Sequence, residues 1–574
     1  MTLKKIVKGL FLIGMVLISA EISRAQDFNP PFPRIGQITF YPAGAGPTIW
    51  KNHNMVIIRH YYPDDAKRIK EKNPDVILLA ANDALEGNII KNITGKPLPD
   101  EWYIHYADGS KVPFWGGYMT NLSNECPVAN YIYGPQRFNQ FLAKFLIENT
   151  DWNYFDGSLF DTWFQRLKWF VKNLDNVDLD GDGKPDGASI AEERWEKGKK
   201  TLVENMRALS PKPILAFESG ETYLNGNGFE FWTQETVASR AWNMQKALDL
   251  LKNAVSPQMN YANSEAKGYG AVFRADFTSA QIVGAFFGHD EGTYAHRWTF
   301  LHDEYEAKLG YPTDPPQTLE ENLWIRYYDT GVIISNISGQ TKTVSASQLH
   351  GGPYWRFQGQ QDPVFNNGKK FDTVTLQPID GIMLFKQPVT LITPIVIDNV
   401  PKNMTSLGQN PVDYQGTWTQ QDRNNITTDN PAYALFYGWG DFASPYAFSS
   451  PGNGENIAHY NPVLSVSGYY EILEWHGWHG KYPNDYQEAS NVPYRILINN
   501  APVHSGTIDQ TKNYGKWNSL GIYYISKGAK IDVSLTNKAN GIVISDAIEF
   551  VYKGSKQNQD TTPPAAPRNV KINP

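Results

Sequence analysis

The chain has 574 residues, a formal net charge of -7, an aromatic share of 13% and one cysteine. That length exceeds what one hydrophobic core serves, so several domains are expected. The acidic balance argues against nucleic acid or an anionic membrane as partner, and the single Cys126 excludes an internal disulfide and reads as a small buried apolar residue.

Residues 1–25 carry the pattern of a cleaved signal peptide. Lys4, Lys5 and Lys8 form a positive start, Leu10 to Ala20 is apolar, and Ser23 and Ala25 are the small residues before a cut at Gln26. The apolar run is shorter than the roughly 20 residues of a membrane-spanning helix. No later segment is longer. A secreted protein without a membrane span is therefore expected, whether extracellular, periplasmic or held at the cell surface.

Strand-like and helix-like blocks then alternate over residues 27–320. Gln37–Tyr41 and Met55–Arg59 are short β-branched and aromatic runs, Asp64–Lys72 is a charged helix, and Asp75–Ala81 is a continuous apolar strand. Gln136–Asn149 reads as an amphipathic helix, Tyr154–Phe160 as a strand ending at Asp161, and Ile190–Leu209 as a long helix. Pro213–Phe217 is the next strand, Thr236–Asn253 the next helix, and Gly270–Arg274 a further strand. Repeated β-then-α over this length predicts an α/β barrel of the TIM type. Residues 321–395 change to short strands separated by turns, which predicts a small all-β module. Residues 396–553 are again strand-rich and predict an all-β sandwich. Residues 554–574 are polar and Pro-rich and read as a linker, with PRNVKINP resembling the opening strand of a fibronectin type III domain.

Cleaving a glycosidic bond takes two carboxyl groups, one to protonate the leaving oxygen and one to attack carbon or activate water. In a parallel barrel they belong at C-terminal strand ends. Asp161 in YFDGSLFDTW and Glu230 in LNGNGFEFW stand at such positions, beside Trp163 and beside Phe231 and Trp232 as stacking candidates. Asp156 could replace Asp161, which could itself cap the next helix. Glu218 or Glu221 could replace Glu230.

The motifs DGSLFDTW, PILAFESG, LNGNGFEFW, FRADFTSAQIVGAFFGHDEG and WTFLHDEYEAKLGYP occur in this order. Together they resemble the glycosyl hydrolases related to the endo-α-1,4-polygalactosaminidase family. The resemblance covers about residues 30–390 and implies a TIM barrel with a catalytic Asp after the fourth strand and a Glu after the sixth, here Asp161 and Glu230. It likens WGGYMTNLSNECP, with Trp115 and Asn121, to the loop after the third strand, and implies a small β-domain after the barrel. The family usually has Asn where Glu218 stands, and that extra acid weighs against the pair.

VDLDGDGKPDG places Asp178, Asp180, Asp182 and Asp186 at positions 1, 3, 5 and 9 of a calcium loop, with Gly183 at the turn and the Lys184 carbonyl as a further ligand. Ser189 stands where the usual twelfth-position Glu belongs; Glu192 or Glu193 could substitute. A structural Ca2+ is expected and no organic cofactor. His289, Asp290 and His296 read as substrate hydrogen-bonding groups rather than a metal site. Trp298 and Asp303–Glu304–Tyr305 read as wall or packing elements.

VPYRILIN, YGKWNSLGIYYISKGAKIDVSLTN and NGIVISDAIEF resemble the golvesin C-terminal-like domain, also found beside xanthan lyases. That family is a β-sandwich attached to secreted enzymes, and the resemblance implies carbohydrate or surface binding. Trp475, Trp478 and Tyr482 could form its stacking platform or, for a Trp, fill its core. The whole chain then reads as a secreted glycoside hydrolase acting on a polysaccharide, with an accessory binding sandwich. The alternative is a non-catalytic carbohydrate-binding or surface protein on a barrel scaffold.

Overall fold

A computed structural model describes residues 26–39, 53–163, 165–234, 236–290, 296, 301–398, 412–421, 446–477, 487–514 and 516–556. The signal segment, Trp298, Trp478, Tyr482 and nearly all of the Pro-rich tail lie outside them.

Eight parallel strands form one sheet in chain order: β1 (Gly36–Ile38), β2 (Met55–Arg59), β3 (Ile77–Asp83), β4 (Gly157–Asp161), β5 (Ile214–Phe217), β6 (Gly226–Phe229), β7 (Tyr261–Ser264) and β8 (Phe286–His289). The sheet nearly closes into a barrel. Ile35 bridges Phe287 in parallel, and the Phe287 amide donates to the Arg34 carbonyl at 2.9 Å.

Side chains alternate across a strand, and the strands follow that rule closely. Met55 and Ile57 of β2, Ile77, Leu79 and Ala81 of β3, Leu159 of β4, Leu215 and Phe217 of β5 and Tyr261 of β7 share one buried cluster, the barrel interior. Val56, Ile58, Leu78 and Ala80 point the other way into a second cluster. The interior is tight. A methyl group on Gly228 would lie 2.4 Å from the Phe217 ring, and one on Gly288 would lie 2.0 Å from the Tyr261 hydroxyl. Only glycine lets these large rings fill the centre.

Among the described residues six α-helices accompany the strands: α1 (Pro63–Lys72), α2 (Gly87–Thr94), α3 (Phe138–Glu148), α4 (Ala188–Leu209), α5 (Val237–Asn253) and α6 (Ala271–Ile282). Two features depart from expectation. Residues 218–225 join β5 to β6 with no helix between them. The segment Gly270–Arg274 is not a strand; it opens α6. This helix is buried on almost every side because the β module covers its outer face. Arg274 bonds Asp380 at 2.9 Å and Asp362 at 3.0 Å, and the Tyr328 hydroxyl donates to the Gln281 carbonyl at 2.9 Å. Its polar residues Arg274, Thr278 and Gln281 are spent on buried bonds rather than on solvent, so it shows no ordinary amphipathic pattern, and a short stretch of it reads like a buried strand.

After the barrel come a five-stranded antiparallel sheet, begun by Gln317–Glu320 and Leu323–Tyr327, and a two-stranded ribbon of Lys342–Ser345 with Thr373–Leu376. Asp303, Glu304 and Tyr305 are buried, as packing elements should be. Asp303 accepts from the amides of Gln360, Gln361 and Thr393 and so anchors this module's return to the barrel. The last region holds sheets of four and five strands around a shared apolar core, and a three-stranded sheet with a smaller cluster of Tyr446, Ile542 and Ile544. Its Trp475 is a core residue, 2% exposed and packed edge-on to Trp517. It joins Val396 and Ala547 in a cluster with Val56, Ala66 and Phe155 of the barrel. Cys126 is buried, and burial pushes its thiol up to about 12, so it behaves as an apolar filler.

Candidate active site

The same alternation sets the polar rim at the C-terminal end of the barrel. Continuing the inward parity past the apolar residues gives Arg59 on β2, Asp83 on β3, Asp161 on β4, Glu230 just past β6, Asn263 on β7 and Asp290 just past β8. Bonds join them in two sets, one around Asp161 and one around Glu230, and the charge of Glu230 is felt at Asp161. Arg59 Nη1 lies 2.8 Å from Asp83 Oδ2, and Nη2 lies 3.8 Å from Asp161 Oδ2. Asp161 Oδ1 accepts from the Thr162 amide at 2.8 Å. Asn263 Nδ2 donates to Asp290 Oδ2 at 3.0 Å, and His296 Nδ1 lies 2.7 Å from the same oxygen. His296 Nε2 then lies 3.4 Å from Glu230 Oε1.

The electrostatics separate the groups. Burial, then the charge of Asp83, push the Asp161 carboxyl up to about 7; Arg59 opposes them and Glu230 adds to the rise. For His296, burial favours the neutral ring, but the hydrogen bonds and charges of Asp290 and Glu230 win and raise it to about 10. Asp161, which keeps its proton near neutrality, therefore stands at the same end of the barrel as Glu230, which faces an imidazolium. Such a pair suits proton donation on one side and nucleophilic or base chemistry on the other.

Glu218 is close to this group. Its left-handed backbone (φ 49°) turns the side chain at the end of β5, and Oε1 accepts from the Glu230 amide at 3.3 Å. Burial raises its pKa, Lys246 opposes the rise and Glu230 adds to it. Glu221 is not part of the cleft: it forms an ion pair with Lys199 that is buried on both sides. Asp156 is at the other end of β4 from Asp161. It bonds Lys70 Nζ at 2.6 Å and the Leu78 amide at 2.8 Å, which makes it a brace at the barrel's N-terminal end.

Four substrate-contact candidates are structural instead. Trp163 is 0% exposed, because Thr162 at φ 52° turns the chain and drives the indole outward against Phe160. Trp232 is 2% exposed, and its indole N–H bonds the Asp276 carbonyl and Ser279 Oγ. Asn121 is buried and holds the calcium-type loop through the Leu179 carbonyl at 2.8 Å. His289 has outward parity and bonds His302 at 2.9 Å and the Ala266 carbonyl at 2.7 Å. Asp290 is also buried, and reaches the cleft through His296. Phe231, by contrast, is 47% exposed beside Glu230, and Trp115 is 63% exposed. Arg59 and Asp83 were missed in the sequence. Their signal is parity: each follows two or three inward apolar residues at every second position.

In the acidic loop, one carboxylate oxygen each of Asp178, Asp180 and Asp182 lies within 4.8 Å of the others. Asp178 accepts from the amides of Gly181 and Gly183 at 2.7 and 2.8 Å. Asp186 accepts from the Leu179 amide and pairs with Arg194, which also lies 2.9 Å from Asp180. The side chain of Lys184 turns back on Asp182 at 3.0 Å. Neither candidate for the twelfth position fits. Glu192 accepts from the Leu167 and Lys168 amides, and Glu193 pairs with Lys197.

On the sandwich, a cleft of about 660 Å³ is lined by Asp413, His459, Asn461, Leu497, Lys530 and Asp532, with His459 Nδ1 2.9 Å from Asp532. No curated protein matches the chain. Among solved structures it is similar to the cycloalternan-forming enzyme from Listeria monocytogenes, with 9% identity over 92% of this chain and 67% of that one at a TM-score of 0.33. It is similar to a Bacteroides uniformis β-glucuronidase, with 10% identity over 91% and 65% at 0.28. It is also similar to a Paenibacillus xanthan lyase, with 18% identity over 43% of this chain and 26% of that one at 0.23. The chain thus spans about a quarter of that lyase. Scores at this level say nothing of activity. The firm assignment is local: residues 407–552 match the family model of the golvesin C-terminal domain.

Proposed function

We propose that the chain is an exported glycoside hydrolase, with Asp161 as proton donor and Glu230 as nucleophile or base. The observation that carries this reading is the convergence of the two carboxyls inside one end of a parallel barrel, with Asp161 raised to about 7. A donor poised there at neutral pH protonates the leaving oxygen, and a carboxylate across the cleft stabilises positive charge at the anomeric carbon. Arg59 and Asp83 tune Asp161, and the chain Asn263–Asp290–His296 orients Glu230. The golvesin domain holds the enzyme on its polymer. The test is a panel of neutral, acidic and amino-sugar polysaccharides assayed for new reducing ends. Release from at least one polymer, absent in the Asp161→Asn/Glu230→Gln double variant, is expected; equal release by that variant would overturn the reading.

We further propose that Ca2+ is bound by Asp178, Asp180 and Asp182 with the Lys184 carbonyl, and that its role is structural. The three clustered carboxylates and the turn at Gly183 (φ 79°) support it. Arg194 shields the outer carboxylates, and with no acid at position 12 the affinity should be modest.

A further inference from the structure

The loops beyond β3 and β4 carry aromatic rings that stand partly in solvent. Trp115 is 63% exposed, Trp169 52% and Phe170 37%. Phe114, which is buried, stacks on the Trp115 indole with ring centroids 4.8 Å apart and planes 20° apart. Phe170 stands at 86° to that indole, 6.4 Å away. The two rings make an L-shaped apolar corner backed by Phe114. Trp115 has φ 35°, a left-handed conformation that a bulky residue adopts only under constraint. The constraint is the hairpin itself: Trp115 and Gly116 (φ 82°) are the two central residues between Phe114 and Gly117, a turn that needs left-handed backbone at both, and its tip holds the indole out in solvent.

The corner lies on the catalytic side of the barrel. Met119 bridges Glu86, and the Thr120 amide donates to the Leu85 carbonyl, which ties the Phe114–Gly117 hairpin just past the end of β3. Phe170 is in the segment that leaves β4 at Asp161, where Glu192 fixes the Leu167 and Lys168 amides at 3.0 Å.

We infer that Trp115 and Phe170 form an outlying sugar-stacking subsite for a polysaccharide chain that extends from the Asp161–Glu230 cleft over the β3 and β4 loops. The inference rests on the proposed hydrolase only for its choice of ligand. Flat rings offer the apolar faces of sugar rings a large contact at little entropic cost, and exposed aromatic clusters mark binding surfaces. A subsite so placed makes the enzyme read several sugar units at once, as internal cleavage of a polymer requires.

The test is affinity electrophoresis of the Asp161→Asn protein in gels holding mixed-linkage glucan, polygalacturonate or chitosan, so that binding is read without cleavage. At least one polymer is expected to retard it. Adding Trp115→Ala or Phe170→Ala should weaken that retardation roughly tenfold, the loss of one good aromatic contact, and Trp115→Phe by less. Trp242→Ala, on an equally exposed tryptophan of α5, should leave it unchanged. Thermal melts confirm folding. Full retardation in the Trp115 and Phe170 variants overturns the inference, as does retardation by none of the polymers. Trp115-dependent binding by a protein that releases no reducing ends would leave the subsite standing and sink the hydrolase reading. Cleavage by the wild type with unchanged binding in the Trp115 and Phe170 variants would do the reverse.

Discussion

Asp161 owes its raised pKa to burial and to the charges of Asp83 and Glu230, against the opposing pull of Arg59, and the consequence has a definite sign. Its ordinary value is 3.8 and its folded value about 7. Below about pH 4 both states hold the proton. Between these values the unfolded chain ionises first, so stability falls as pH rises. Asp161→Asn cannot ionise, so its melting temperature should gain on the wild type from pH 4 to 7 and hold that gain above. A difference independent of pH would show that the carboxyl is not perturbed. In catalysis the same proton must be present, so activity should fall about tenfold per pH unit above 7. Glu221 makes the contrasting case. Its partner Lys199 is wholly buried and keeps Glu196 at 2.9 Å as a second partner, so Glu221→Ala should destabilise by about 1.5–3 kcal/mol through the loss of one buried charge-assisted bond. Any loss of activity should track unfolding in a urea melt; selective loss of kcat in a stable variant would instead place Glu221 in the chemistry.

Strand β4 shows what an element does for its residues. One stretch of five, Gly157–Asp161, places a candidate acid inward at one end, while Asp156 just before it braces the other end. Both acids stand beside the same apolar run, and only the direction of the strand separates them. Most of the strands were legible because apolar runs such as DVILLAA are unbroken. α6 was misread because its polar residues are spent on buried bonds, several of them to the β module, and none marks a solvent face. Trp163 and Trp232 were misplaced because positive φ at Thr162, and the end of β6 at Phe229 with a bend at Glu230, break the parity that a straight strand would give. Arg59 and Asp83 were legible in principle, by counting every second residue. The acidic loop between β4 and α4 carries its own prediction. Chelation of Ca2+ should lower the melting temperature by a few degrees, added Ca2+ should restore it, and Asp180→Asn should abolish the response. An unchanged melt on chelation would show the loop to be held by Arg194 alone.

At the scale of the molecule, the barrel is sandwiched between two β-structured partners by different means. The small module grips α6 through Arg274, with Asp380 1% exposed and Asp362 outside it. The C-terminal sandwich region adds Trp475, Val396 and Ala547 to an apolar cluster with the barrel. Trp475→Ala should therefore cost about 3–5 kcal/mol and loosen both bodies together; a calorimetric trace in which only one transition moves would contradict that coupling. The resemblance in the sandwich was specific enough in sequence to be met again in the family match at 407–552. The barrel's chemistry was legible only as candidates, because convergence across β2, β3, β4 and β6 is a property of closure. The central claim is that Asp161 and Glu230 work as one catalytic pair. Its most direct test is kcat for Asp161→Asn and for Glu230→Gln, measured separately on a polymer the wild type cleaves, beside their melting curves. Losses of about 10²–10⁴-fold in each, with the fold retained, are predicted. Near wild-type kcat in either variant would contradict the account.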